Sequence, residues 1–283
     1  MSEASVALNR FGYGWRLGDP ALRNPKAGLI AQLRDFDPRP GPLASRPDTS
    51  GEAGALLQII RNSRRAARKK QSENADQGAS KSRMTREDRI AALPVEYRDK
   101  AREAYSRYRA DSAARMRVAV TSPTPFAERL VHFWSNHFSV TARKPGTPFE
   151  VGNHEFNAIR PHVMGRFSDM LTAAVLHPAM LLYLDQFQSV GPNSTFGSRR
   201  RRRRNPNQRP LGINENLARE ILELHTLGVD GGYSQADVTE FARALTGGTV
   251  PGRGRVGRFA KGQANGAAYV AVRHSREAFM AVV

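Results

Sequence analysis

The sequence predicts an all-α or mainly α chain, a single irregular helical domain carrying disordered basic insertions. Three observations lead there. Apolar residues recur at steps of three and four along several segments, capping residues and prolines bracket those segments, and no run alternates with period two. At 283 residues the length suits one large domain or two ordinary ones. With 40% hydrophobic and 25% charged residues the composition can build a packed core.

Composition also excludes. No apolar run approaches the roughly 18 residues of a membrane-spanning helix. The opening Met1–Leu8 stretch lacks a basic region followed by an apolar one, so no signal peptide is expected and a cytoplasmic location is the default. Zero cysteines remove disulfides, thiolate metal sites and cysteine nucleophiles together. The net charge of +18 suggests nucleic acid until it is divided along the chain. Residues 61–120 carry 17 Lys/Arg against 8 Asp/Glu, and 199–209 carry 7 Arg and no acid. The motif-bearing stretches 121–198 and 210–250 instead hold 7 basic and 11 acidic residues. The basicity belongs to insertions, which places nucleic-acid binding last among the functions considered.

The elements follow in order. A first helix ends at Gly12, and a second spans 26–36 with Leu29, Ile30 and Leu33 at helical spacing. Residues 37–50, rich in Pro, Ser and Gly, read as a loop. Residues 53–68 form a helix that turns basic, and 69–86 have nothing apolar to bury and read as disordered. Residues 95–120 make a long helix with a stripe through Tyr97, Ala101, Ala104, Tyr105, Tyr108, Ser112, Met116 and Ala119. Thr124-Pro125 starts the next helix, threonine capping and proline at its first position, with an apolar line Phe126, Leu130, Phe133/Trp134 and His137. Helices at 160–176 and 178–187 precede the Arg199–Arg204 run, a low-complexity loop spanning 191–210. A helix over 214–227 stops at Gly228, and Ser234 with Asp237 opens the last one in a capping-box arrangement. The domain therefore spans 1–250, and 251–283 reads as a poorly packed tail, with at most a short helix at 275–282.

Two motifs concentrate polar groups. In Asn214–His225, residues Asn216, Glu220 and Glu223 share a stripe at roughly 100° per residue. Two carboxylates and an amide on one line suit proton transfer or a hard cation; equally, Glu223 can pair with Arg219 at i,i+4 on a solvated face. In Leu130–Phe138, dense aromatics carry Asn136 and His137 inward, either into a site or as a satisfied core histidine. His132 and His137 are five apart, so they do not form the helical zinc pair. Asp185 follows an apolar run at a helix end, where a carboxylate calls for a partner cation.

The stretches Phe133–Phe138, Pro178–Asp185, Asn214–Glu220, Glu223–Val229 and Tyr233–Gly247, together with Leu8–Gly12, resemble the bacterial family catalogued as domain of unknown function 1800. The resemblance covers most of residues 4–249. It implies a mainly helical fold, export for many members as the alternative to the cytoplasm, and a sulfatase-like neighbour as a partner. Gly248 stands where the family usually has Trp, and the family domain continues beyond this point. The tail therefore reads as a truncation or a shifted frame.

The leading expectation is a hydrolase-like or metal-assisted enzyme with a polar site between helices 124–138 and 214–227. Glu220, Glu223 and His137 are the catalytic candidates, and Asn136, Asn214, Asn216, Arg219 and Asp185 the binding ones. No metal site is claimed, Glu220, Glu223 and Asp185 being the candidate ligands were one present, and no cofactor is specified. The rival is a non-catalytic binding or assembly partner of the sulfatase-like neighbour.

Overall fold

The computed structural model describes residues 2–17, 23–49, 51–75, 94–191 and 212–246, with side chains in the 52–75 helix described to residue 67. Among the described residues the regular structure is helical throughout, as the periodicity predicts. In chain order the helices are α1 (Glu3–Phe11), α2 (Pro25–Arg34), α3 (Gly41–Ala44), α4 (Glu52–Ala75), α5 (Val95–Thr121), α6 (Pro125–His137) and α7 (Thr147–Asn153). There follow α8 (Phe167–Leu176), α9 (Pro178–Tyr183), α10 (Asn216–Glu220) and α11 (Gln235–Ala244). Two of them change pitch. α7 continues as a π-helix over His154–Ile159 and a 3₁₀ turn over Arg160–His162, and α10 continues as a π-helix over Ile221–Thr226. No described helix is long and apolar enough to cross a membrane.

The main core gathers α4, α5, α7, α8, α9, α10 and α11 around Phe149, Ile159, Leu171, Met180, Leu181, Ile221 and Phe241. α7 with its π-turn is the central rod, packed by α5 on one side and by α8 and α9 on others. Gly152 makes this approach possible. A Cβ there would sit 2.6 Å from the Asp111 carboxylate of α5, which Arg46 holds by a 2.6 Å ion pair.

Several expectations change here. Residues 41–44 of the expected loop form α3, and α4 runs seven residues into the segment read as disordered. The rest of that segment, the Arg199–Arg204 loop and the tail from residue 251 lie outside the described residues. The helix expected at 160–176 begins only at Phe167, after a turn through Gly165. The α7 rod went unread because its buried positions include Glu150, Asn153, His154 and Glu155, which leave no apolar period. On α5 the expected stripe is rotated: Ala104, Asp111, Val118 and Ala119 are buried, while Tyr105 and Met116 are exposed. Thr124 does not cap α6 with its side chain. Its hydroxyl meets Ser122, and Gln32 of α2 instead accepts from the Phe126 N–H at 2.8 Å. The capping box at Ser234 and Asp237 forms as its spacing predicts.

Candidate functional site

α6 presents two polar sites to the fold. The first lies along its middle. Ala127, Glu128 and Val131 are the fully buried residues of this helix, one step round from the expected aromatic line, and Phe133 is 59% exposed. Glu128, His132 and Ser135, spaced four and three apart, share a stripe that faces α5 and the π-turn of α7.

Each member of that stripe meets a partner from a distant element. Arg160 donates from both terminal nitrogens to Glu128 at 2.7 Å, and from Nε to the Pro38 carbonyl at 2.9 Å. Its guanidinium carbon lies 5.2 Å over the Phe36 ring centroid. Glu155 accepts on Oε2 from Arg115 Nε and from Ser135 Oγ, the latter at 3.0 Å. Its other oxygen, Oε1, is buried without a hydrogen-bond partner, 4.0 Å from Arg160. His132 Nδ1 lies 2.6 Å from the Tyr13 hydroxyl, and its Nε2 is also buried and unpartnered. Arg129 donates to the carbonyl of Gly12, holding the Tyr13 segment against α6.

The electrostatics follow from burial. Desolvation pushes the Tyr13 phenol up to about 12, aided by the charge of Glu128. Desolvation brings His132 down to about 4, with Arg115, Arg160 and Arg129 adding to it. At neutral pH the pair is therefore phenol and neutral imidazole. Burial raises the Glu155 carboxyl, and the two arginines and Ser135 oppose it. Such a carboxyl is poised for proton transfer nearer neutrality than a free one. The π-turn itself is a recurrent feature of functional sites, because it re-aims side chains out of α register.

The second site is the junction read from the sequence. Helix α6 reaches the π-turn after α10 at its last residue, where His137 Nε2 lies 3.1 Å from the His225 carbonyl and the two rings are 5.4 Å apart. His225 is 3% exposed, with both ring nitrogens unpartnered, and burial followed by the charge of His137 lowers it to about 4. The carboxylates lie differently. Glu223 is held by Arg219 at 2.8 Å, the local pair its spacing allows, and Arg219 also reaches Glu215. Glu220 makes no hydrogen bond or ion pair with the described residues, and burial, then the Glu223 charge, raises its carboxyl.

The remaining candidates shape the chain. Asn136 and Asn216 are exposed. Asn214 donates to the Leu184 carbonyl at 2.8 Å and accepts from the Asn216 N–H at 3.0 Å, which fixes the entry to α10. Asp185, in left-handed conformation at φ 57°, receives its cation from Lys144 at 2.7 Å. Among the described residues no group of three His, Asp or Glu side chains is placed to hold a metal ion.

Of the residues the sequence singled out at the junction, His137 meets the segment after α10, while Asn136 and Asn216 are exposed and Glu223 pairs with Arg219. The cluster of Tyr13, Arg115, Glu128, His132, Ser135, Glu155 and Arg160 was not anticipated. The Glu128/His132/Ser135 spacing was the available signal. No functionally curated protein and no solved structure matches the chain. A family model matches residues 6–279 and so extends through most of the tail, where a truncation is not shown. The chain belongs to the family described as "Protein of unknown function (DUF1800)".

Proposed function

We propose that this chain is a hydrolase-like acid–base enzyme whose centre is the Glu128–His132–Ser135 stripe, with Glu155 transferring the proton. The observation that carries this reading is the pair of buried, unpartnered atoms, Glu155 Oε1 and His132 Nε2, in a cluster where Glu128 and Arg160 are fully engaged. Leaving a buried polar group unsatisfied costs about 1–3 kcal/mol. A substrate that supplies partners to both atoms relieves that cost on binding. In this reading the neutral His132 donates to the bound substrate. Glu155 takes a proton from water as the water oxygen bonds to the carbonyl carbon, and returns it to the leaving oxygen as that bond breaks. Ser135 and Arg115 hold the carboxyl in place throughout.

The test is a panel of chromogenic esters, amides and phosphoesters assayed with wild type, Glu155→Gln and His132→Phe. Glu155→Gln should lower any turnover by roughly 10²–10⁴-fold, the range for a positioned acid–base group. Its melting temperature should move little, because Gln keeps an acceptor for Arg115 and Ser135. Turnover that survives Glu155→Gln unchanged removes this assignment.

A second reading, the non-catalytic assembly partner, is favoured by one observation: Leu224, Leu227 and Val229 beside the junction are all more than half exposed. An apolar ridge of this kind suits a protein contact. Leu224→Lys/Leu227→Lys should then abolish co-purification with a sulfatase-like neighbour, and leave turnover at Glu155 untouched.

A further inference from the structure

We propose that the substrate carries an oxyanionic group, a carboxylate or phosphate, and that Arg115 and His132 together receive it. This rests on the acid–base reading above and adds a substrate class to it. Three guanidiniums, those of Arg115, Arg129 and Arg160, surround the centre, against two carboxylates, Glu128 and Glu155. Arg160 is spent on Glu128 and backbone carbonyls, and the exposed Arg129 turns its Nη1 away to the carbonyls of Asn9 and Gly12. Arg115 differs. Its Nε serves Glu155, its side chain is 32% exposed, and its two terminal nitrogens make no hydrogen bond to the described residues. A guanidinium anchored at Nε presents its terminal pair in fixed orientation, and that geometry matches a planar or tetrahedral oxyanion.

The imidazole supplies a second donor. The Tyr13–His132 contact of 2.6 Å is shorter than the usual ~2.9–3.0 Å of an N–H···O bond and fits the phenol as donor. With Nδ1 accepting from Tyr13, the ring proton sits on the unpartnered Nε2. A buried N–H with no acceptor, in a field dominated by cations, selects a negatively charged acceptor over a neutral one. An anion in place should also reverse the field at His132 and raise its protonation midpoint.

The test needs no turnover. Full-length protein is titrated with inorganic phosphate and, separately, with acetate, at ionic strength matched by chloride, while melting temperature and the His132 ring resonances are followed. A saturable rise in melting temperature with either anion, together with an upward move of the His132 titration, is expected. Phosphate alone acting identifies a phosphorylated substrate, and acetate alone a carboxylate. Arg115→Lys keeps the charge but loses the fork, so it should weaken binding roughly tenfold, whereas Arg143→Gln, an exposed arginine elsewhere, should not. Equal binding by Arg115→Lys and wild type, or no effect beyond chloride, overturns the proposal. Loss of turnover in Glu155→Gln with no anion binding would sink this inference and leave the acid–base reading standing.

Discussion

The middle of α6 and its C-terminal end use the same kinds of residue in opposite ways. In the middle, carboxylates are buried and held by arginines from α5 and from the turn after the α7 π-helix, more than thirty residues away in sequence. At the end, His225 is buried and neutral, while Glu223 finds its arginine four residues away on a partly exposed face. Both places use a π-turn. Around Glu155 it carries a carboxylate into the core; after α10 it moves His225 inward and Leu224 out. The contrast separates pairing that the chain must fold to create from pairing that a lone helix already has.

The largest effect should come from breaking the deepest pair. Arg160 and Glu128 are 1% exposed each, and removing one partner strands the other charge. Arg160→Ala should cost about 3–5 kcal/mol in urea denaturation. The double variant Glu128→Gln/Arg160→Met, which leaves no charge behind, should recover much of that loss. A single variant that costs under about 1 kcal/mol would place the pair in effective contact with solvent and erase the distinction drawn above.

The next effect is a pH dependence on the histidine side. His154, fully buried against His177 with ring centroids 5.2 Å apart, is lowered by desolvation to about 4. Below its ordinary 6.5 the unfolded chain takes up a proton that the folded chain refuses, so His154 is neutral to stability above 6.5. It becomes progressively destabilising as pH falls to about 4. The full span is worth on the order of 3 kcal/mol. Glu150, pushed up to about 7 by burial, drifts the opposite way, destabilising as pH rises from 4.5. The clean measurement is therefore the difference between wild type and His154→Gln, which should change in the variant's favour between pH 6.5 and 4. A pH-independent difference would mean that His154 titrates normally.

These contrasts explain what the sequence made legible. Helix starts at Pro125, Pro178 and Ser234 were readable because proline and capping chemistry act within four residues. The aromatics around His137 announce themselves locally too, whereas the Asn-Glu stripe does not meet them, Asn216 being exposed and Glu223 paired with Arg219. The central site was not, because its burial depends on elements meeting across the fold. Glu128 looks solvated until Arg160 arrives, and Glu155 lies in a stretch whose interior face is polar. The α10 stripe failed in a different way. At 100° per residue Leu224 belongs inside, but the π-helical pitch, seen in the Leu227 N–H donating to the Leu222 carbonyl while the Thr226 hydroxyl donates to the Ile221 carbonyl, widens the turn and sends it out.

The smallest effect distinguishes two neighbouring carboxylates on that same helix. Glu220 is partly buried without a cation, and desolvation followed by the Glu223 charge raises its carboxyl. Its folded form therefore holds a proton more readily than the unfolded chain, so the stability it contributes is present below about 4.5 and lost as pH rises past its raised value. At neutral pH Glu220 should be a mild liability. Glu220→Gln should stabilise the chain by a few tenths of a kcal/mol, a figure kept small because solvent screens a partly exposed group. Glu223→Gln should not stabilise, since it gives up the 2.8 Å pair with Arg219. The two variants melted side by side at pH 7 and again at pH 4 decide the matter, because the Glu220→Gln gain should vanish at the lower pH. A Glu220→Gln variant that melts below wild type at pH 7 would mean that the carboxylate is held by a favourable partner. The junction would then be a second charged site, and the contrast between the two ends of α6 would fail.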